Sequence, residues 1–422
     1  MTNKEVANYL RAFTLKEKNT SKKKNTSLLP ENKATVVENI VLEGRSIPVY
    51  INEFWTSGQR QASSLHELAY RACFKPQLPR FFIEMLTQKG DLVYDPFSGR
   101  GTTAIEAALL GRKVIANDIN PLSKIFSLPR LNIPSFQELR KRLEEIPLKE
   151  DLREEINLSM FFHPRTEGEI VSLKKYLFSR SESGTEDNLD RWIRMVATNR
   201  LTGHSPGFFS VYTLPPNQAV TPERQIKINA QRNQKPPYRD TKRLILKKAA
   251  SLMRNLTAEQ INNLRKAAED ALFLTADARL TPEIADESVR LTVTSPPFLD
   301  VVQYHKDNWL RCWFNSIDVR EVEKRITACR NLEEWSSVMG GVFKELFRIT
   351  KKGGWVAFEV GEVRKGSIRL EEYVVPLGLE AGFCCEAVVI NFQKFTKTSN
   401  IWGVKNNLSG TNTNRIVLFQ KK

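Results

Sequence analysis

The chain has 422 residues, room for one large domain or two ordinary ones and ample material for a core. Its formal net charge of +16 and pI near 9.6 favour a polyanionic partner and speak against an acidic protein surface. Five cysteines and four scattered histidines lack paired metal spacing, and no apolar run is long enough to cross a bilayer, so a soluble, cytoplasmic protein without a metal site is expected.

In chain order, residues 1–35 read as a basic flexible N-terminal arm, with a short helix over 5–15 and then the run Lys22-Lys23-Lys24. Alternating apolar residues over 36–55 predict a hairpin or edge strands. The stretch Phe74-Lys75-Pro76-Gln77 leads to a helix over 80–88. Asp91-Leu92-Val93-Tyr94 then reads as a short strand. It is followed by Asp95-Pro96-Phe97-Ser98-Gly99-Arg100-Gly101-Thr102-Thr103 and by a helix over 104–110 that stops at Gly111. Strand, glycine turn and helix form the first half of a nucleotide-binding α/β unit. Gly99 and Gly101 let the backbone approach a ligand, and the helix start offers unpaired N–H groups. The next strand, 113–117, ends at Asp118-Ile119, where a carboxylate can accept from ribose hydroxyls. This pattern is a nucleoside site.

A long insertion follows from 129 to 270, mainly helical over 136–146, 167–179, 189–201 and 238–256 and without an internal repeat. Near its centre, residues 201–218 mix glycines, prolines, aromatics, amides and His204, a composition suited to stacking on and bonding to bases. Between 191 and 270, fifteen Lys or Arg stand against five acids, a net of +10, which makes Arg232, Lys235 and Arg239 candidate phosphate contacts. The α/β pattern resumes with a strand over 271–277 that closes at Asp277-Ala278. A second strand, 289–293, runs into Thr294-Ser295-Pro296-Pro297-Phe298. An amphipathic helix over 335–350, the turn Gly353-Gly354 and strands over 355–360, 383–391 and 415–420 complete the chain. Between the last two strands lies a polar, basic loop with Lys394 and Lys397.

Gly99-x-Gly101-x-x-Ala104 with Asp118 also fits a loose dinucleotide fingerprint. The four residues ahead of Gly99 and the second motif at 294–298 argue against a nicotinamide cofactor. No Gly-Lys-Ser/Thr follows the glycines, which excludes that route to phosphoryl transfer, and no Pro-Cys nucleophile is present for methylation at cytosine carbon-5. The two motifs, each at a strand end, resemble those of the amino-methyltransferases of DNA. That family's cofactor motif reads Asp-Pro-Phe-x-Gly-x-Gly-Thr, and its catalytic motif Ser/Asp/Asn-Pro-Pro-Tyr/Phe. The resemblance covers roughly 50–125 and 270–422.

The resemblance implies an α/β, Rossmann-like class I methyltransferase fold, a mixed seven-stranded sheet with a large, mainly helical insertion. The catalytic domain is expected over 36–128 and 271–422, with 129–270 as the candidate DNA-recognition region. It implies S-adenosylmethionine as cofactor, held by Phe74, Lys75, Pro76, Asp95, Pro96, Phe97, Ser98, Gly99, Gly101, Thr102, Thr103, Asp118, Ile119, Asp277 and Ala278. Catalysis is expected at Ser295, Pro296, Pro297 and Phe298, on an amino group of a flipped-out base in duplex DNA. Serine in the first motif position points to cytosine N4, with adenine N6 as runner-up. An RNA amino-methyltransferase and a nucleic-acid-binding module without activity are the alternatives. A cognate restriction endonuclease is an expected partner, as is association with the nucleoid; a membrane is not. One departure stands out: in this group the recognition region usually follows the third motif, whereas here the insertion precedes Asp277.

Overall fold

The computed structural model describes residues 1–15, 34–56, 62–71, 73–214, 219–297, 307–326, 329, 331–360, 362–363, 368–392 and 413–422. Its strands are β1 (Val36–Leu42), β2 (Arg45–Asn52), β3 (Leu92–Asp95), β4 (Lys113–Asn117), β5 (Leu272–Leu274), β6 (Val289–Thr294), β7 (Thr350–Val360), β8 (Glu362–Val363), β9 (Ile368–Arg369), β10 (Cys384–Phe392) and β11 (Thr413–Gln420). Its helices are α1 (Asn3–Ala12), α2 (Gln77–Leu86), α3 (Thr102–Leu109), α4 (Leu122–Ser127), α5 (Phe136–Glu145), α6 (Pro164–Glu182) and α7 (Asn188–Arg200). They continue with α8 (Pro222–Gln231), α9 (Thr241–Leu252), α10 (Ala258–Asp270), α11 (Trp309–Phe314), α12 (Val319–Arg325), α13 (Leu332–Ile349) and α14 (Glu371–Glu380).

One large sheet runs in the order β1-β2-β10-β11-β7-β6-β3-β4-β5, while β8 and β9 pair apart as a small ribbon. Strands β5, β4, β3, β6 and β7 are parallel, and β11 enters antiparallel between β7 and β10. Those seven strands have the order and sense of the Rossmann-like class I methyltransferase sheet. The hairpin expected over 36–55 extends it to nine strands, because β2 docks parallel on β10 through Val388↔Val49 to Asn391↔Asn52. Asn391 reinforces the joint by accepting from the Phe54 and Trp55 N–H groups. Strand order reverses direction between β3 and β6, so their carboxyl ends open a crevice at a topological switch point.

Two findings bear on the segments expected from the sequence. The first residues of the 1–35 segment are not part of a flexible arm: α1 starts on a Thr2–Glu5 capping box and buries Val6 and Leu10. Phe13, just beyond it, stacks edge-on against Phe81 of α2. Residues 16–33, with Lys22-Lys23-Lys24, lie outside the described residues. The insertion, in turn, is no appended body. Leu139, Phe161, Trp192 and Ile245 belong to the same apolar cluster as Phe82, Val93 and Ile105. Its helices are pinned together by buried Asp190, which pairs with Arg142 and Arg180 at 2.6 and 2.8 Å. Helices α8 and α10 add to the four expected there. The other sheet face is covered by α13 and α14.

Candidate active site

The glycine turn is held through its backbone N–H groups. The Phe97 N–H donates to Asp95 Oδ1 at 3.1 Å, that of Ser98 to the Asn117 carbonyl at 2.9 Å, and that of Gly101 to the Ser98 carbonyl at 2.7 Å. The Gly99 N–H donates to Asp118 Oδ2 at 2.7 Å, and Asp118 Oδ1 accepts from Asn120 N–H at 2.9 Å. Both glycines need positive φ, +53° at Gly99 and +76° at Gly101. They differ in what they face. Gly99 lies beside the Tyr70 ring and Cys73 Sγ, whereas the missing side chain of Gly101 points at Ser127 and Arg130, into the protein. Thr102 and Thr103 are likewise turned inward: Thr102 Oγ1 accepts from Arg100, and Thr103 donates to the Val293 carbonyl at 3.1 Å. Their contribution to a ligand is therefore through backbone at the start of α3.

Burial pushes the Asp95 carboxyl up to about 7 and that of Asp118 up to about 6, against the hydrogen bonds that favour their ionised forms. Buried Asp95 Oδ2 and Ser98 Oγ have no hydrogen-bond partner among the described residues. Two acids and an unmatched hydroxyl at the ends of parallel strands fit a ligand that carries ribose hydroxyls, an amine and positive charge, as the cofactor implied by the resemblance does.

A strap from residue 64 to 76 backs this turn. Arg100 reaches the carbonyls of His66 and Leu68 at 3.1 and 2.8 Å, and Arg130 that of Leu65 at 3.0 Å. Buried His66 meets Glu106 of α3 at 2.7 Å, and burial holds its pKa below the usual range. Phe74 is half-buried against the core, Lys75 is exposed, and Pro76 is the N-cap of α2. The Pro-containing stretch thus lies beside the glycine turn.

The second motif meets the first directly. Thr294 at the end of β6 donates to Asp95 Oδ1 at 2.7 Å. Ser295 is half-buried, Pro296 buried and Pro297 exposed, with the Pro297 carbonyl accepting from Trp335 Nε1 at 3.1 Å. Phe298 lies outside the described residues. Beside Ser295 stands a residue that sequence reading treated only as part of a strand. Glu359 of β7 is buried at 7 % exposure, and burial pushes it up to about 7. Hydrogen bonds from Asn414 and Ser295 oppose that rise. The available signal was a lone acid in the apolar run 355–360.

The remaining expected residues are spread around this centre. Asp277 follows β5, which the Asn117 side chain ties to β4 by bonds to both the N–H and the carbonyl of Ala276. Its carboxylate is taken by Arg279 at 2.5 Å, which holds its pKa below the usual range; Ala278 beside it is buried. Pro96, Phe97 and Ile119 flank the turn within the described chain. His204 lies 6.1 Å from the Phe208 ring, and the Arg232 guanidinium sits 3.9 Å over Tyr212. Lys235 is exposed, whereas Arg239 is half-buried against Thr166. Lys394 and Lys397 lie outside the described residues. Helices α7 and α11 are tied to the strap: Asn199 and Arg311 both donate to the Ala69 carbonyl, at 3.1 and 2.9 Å. Ala219 N–H bonds the Asp307 carbonyl at 2.9 Å. Among the described residues no cluster of His, Cys, Asp or Glu suits a metal ion, and no helix is long and apolar enough to cross a membrane.

Parts of the sequence are similar to known proteins. The Type II methyltransferase M.MjaII of Methanocaldococcus jannaschii is 34% identical over 74 residues, 18% of this chain and 14% of its own. The orphan methyltransferase M.BamHII of Bacillus amyloliquefaciens is 35% identical over 86 residues, 20% and 32% of the two chains. A tRNA (guanine(10)-N2)-dimethyltransferase of Methanocaldococcus jannaschii is 29% identical over 126 residues, 29% and 35%. The chain spans no more than about a third of the length of these relatives. Residues 3–124, from the docked helix α1 through the glycine turn and Asp118, match the model of the N6/N4 DNA methylase family, and over that segment, under a third of its length, the chain is similar to those enzymes.

Proposed function

We propose that the protein is an S-adenosylmethionine-dependent DNA methyltransferase acting on an exocyclic amino group. One observation carries the reading: the Thr294–Asp95 hydrogen bond joins the catalytic motif to the nucleoside site, so that Ser295 follows directly on a contact with the residue that opens the cofactor turn. S-adenosylmethionine supplies a methyl group on a sulfonium. Asp118 accepts from its ribose hydroxyls, Asp95 faces its positively charged methionine end, and Asp277 and Ala278 flank its adenine.

An exocyclic amino group is a poor nucleophile because its lone pair is delocalised into the ring. Two acceptors, the Ser295 hydroxyl and the Pro296 carbonyl, hold its protons so that the lone pair faces the methyl group. Glu359 sharpens this role. A hydroxyl has one proton and two lone pairs, so when Ser295 gives its proton to Glu359 its oxygen presents lone pairs to the base. Transfer is an in-line displacement without a covalent enzyme intermediate, and the amino proton leaves afterwards. The target base is extruded from the duplex and stacks on Phe298.

Exposed Arg224, Lys227, Arg232 and Lys235, on and just beyond α8, form the candidate phosphate surface, with Lys394 and Lys397 as a second. Serine in the motif favours cytosine N4 over adenine N6. The Type II methyltransferase names of several relatives support a restriction-modification role; a cognate endonuclease and a place on the nucleoid are further parts of the reading. The tRNA-modifying relative motivates a second reading, an RNA amino group as acceptor. Incubating duplex DNA or RNA with protein and methyl-labelled cofactor, then analysing nucleosides by mass, tests all of these. N4-methylcytosine is the expected product, and no labelled base in either polymer would defeat the proposal.

A further inference from the structure

We infer that Asn414 is a positioning residue for methyl transfer, acting through Glu359 on Ser295; the inference rests on the role of Ser295 proposed above. Three neighbouring strands bring these side chains together. The β6–β7 register sets Thr294 opposite Phe358, so the next step along both strands brings Ser295 beside Glu359. The β7–β11 register sets Glu359 opposite Ile416, and Asn414 lies two residues from Ile416, on the same face of the sheet. Asn414 Nδ2 donates to Glu359 Oε1 at 2.5 Å. Arg415, between them in sequence, is on the opposite face and pairs with Glu371 of α14 at 2.6 Å.

The chemistry follows from what each group can donate. An asparagine Nδ2 is only a donor, so the oxygen it meets must accept. Burial drives Glu359 toward its neutral form, in which it would carry a proton of its own. A neutral Glu359 could donate to Ser295, and the serine would then turn its own proton toward the base and lose an acceptor position. The Asn414 amide opposes this: it favours the carboxylate, fixes its plane, and leaves the carboxylate free to accept the Ser295 hydroxyl proton. The hydrogen-bonding neighbours that influence Glu359 are Asn414 from β11 and Ser295 after β6.

The test uses the full chain and the base that the product analysis identifies. Single-turnover methyl transfer would be measured from pH 5.5 to 9 for wild type, Asn414→Ala and the isosteric Asn414→Asp, with cofactor affinity measured by calorimetry. Asn414→Ala should slow transfer about tenfold near neutral pH and move the acidic limb of the pH–rate profile upward by about one unit. Asn414→Asp should move it further, and cofactor affinity should stay within about twofold. In a Glu359→Gln background, Asn414→Ala should add little, since both changes break one chain of contacts. A uniform loss of rate with an unmoved limb, an unchanged rate, or loss of folding in both variants would overturn the inference. A wild type that methylates no nucleic acid would instead defeat the functional reading on which it rests.

Discussion

Thr294 gives its hydroxyl proton to Asp95 Oδ1 across 2.7 Å, joining the last residue of β6 to the last residue of β3. Both residues are buried, so this is a hydrogen bond to an ionisable group out of water. Removing it leaves Asp95 with fewer donors and a carboxylate that is harder to ionise. Thr294→Val keeps the shape of the side chain. It should fold, weaken S-adenosylmethionine binding about tenfold, and slow transfer through misalignment of Ser295. Calorimetry with the folded variant checks this, and an unaltered affinity would mean that the two motifs are not coupled through this bond.

Asp95 also predicts a pH dependence of stability. Its pKa is raised from an ordinary 3.8 to about 7, chiefly by burial. Between those values the folded protein retains a proton that the unfolded chain has lost, so this group's contribution falls as pH rises and levels off above about 7. Asp95→Asn mimics the neutral acid and removes that slope. The melting temperature of Asp95→Asn minus that of wild type should therefore grow from pH 5 to pH 7 and then stay level. A difference that is constant across that range would argue that Asp95 is ionised throughout.

Of the two glycines of the turn, Gly101 is the one closed in by packing. A Cβ on Gly101 would come within 2.2 Å of Ser127 Oγ and 2.8 Å of Ser127 Cβ, at a φ of +76°. Gly101→Ala should cost about 3 kcal/mol of stability from overpacking and left-handed strain. Ser127 Oγ has no hydrogen-bond partner among the described residues, so Ser127→Gly makes room without breaking a bond. Denaturant unfolding should show that Ser127→Gly recovers a part of the loss in Gly101→Ala. Strict additivity of the two changes would refute the steric account.

How much of this was legible in the sequence depends on whether the signal was local. Asp95 to Thr103, Asp118 and Ser295-Pro296-Pro297 are contiguous patterns at strand ends, and their spacing already implied the nucleoside site. Glu359 was read only as strand because its meaning comes from neighbours on β6 and β11, far away in the chain. The nine-stranded extent has the same origin: a hairpin was visible over 36–55, but its parallel docking on β10 is a contact across more than 300 residues. The charge count over 191–270 overstated the positive charge left free for a partner. Arg194 pairs with Glu186 and Arg200 is buried over Phe208 within the insertion, and Lys248 meets Glu67 of the strap, so these cations serve the fold. Helix α1 was recognised as a helix, yet Val6 and Leu10 gave too little apolar pattern to reveal that it docks.

That sorting of charges sharpens the DNA prediction. Arg224, Lys227, Arg232 and Lys235 are exposed, and replacing all four with Gln should reduce the salt dependence of DNA affinity. Each lost phosphate contact lowers the slope by about 0.9, so a total change of roughly 2 to 4 is expected. Arg194→Gln, which removes a structural ion pair instead, should lower stability with the slope unchanged. Binding titrations from low to moderate salt check this; an unaltered slope in the fourfold variant would move the surface toward Lys394 and Lys397.

Ser295 is where the chemistry is most exposed to refutation. It lies outside the glycine turn, and the bonds that shape that turn come from Asp95, Asn117, Asp118 and Ser98. Ser295→Ala should therefore bind S-adenosylmethionine normally. It should still lose most methyl transfer, since one of the two acceptors for the amino protons is gone. The expected loss is on the order of 3 kcal/mol in the transition state, roughly a hundredfold in rate. Glu359→Gln should act in the same direction with a smaller effect, because it alters where the Ser295 proton points and leaves the oxygen in place. If the target is cytosine, putting adenine in its place in an otherwise identical site should leave almost no product. N6-methyladenine as the main product would reassign the base and keep the mechanism. Full activity in Ser295→Ala would sink the mechanism, because the Ser295 hydroxyl would then not be needed as the second acceptor for the amino protons.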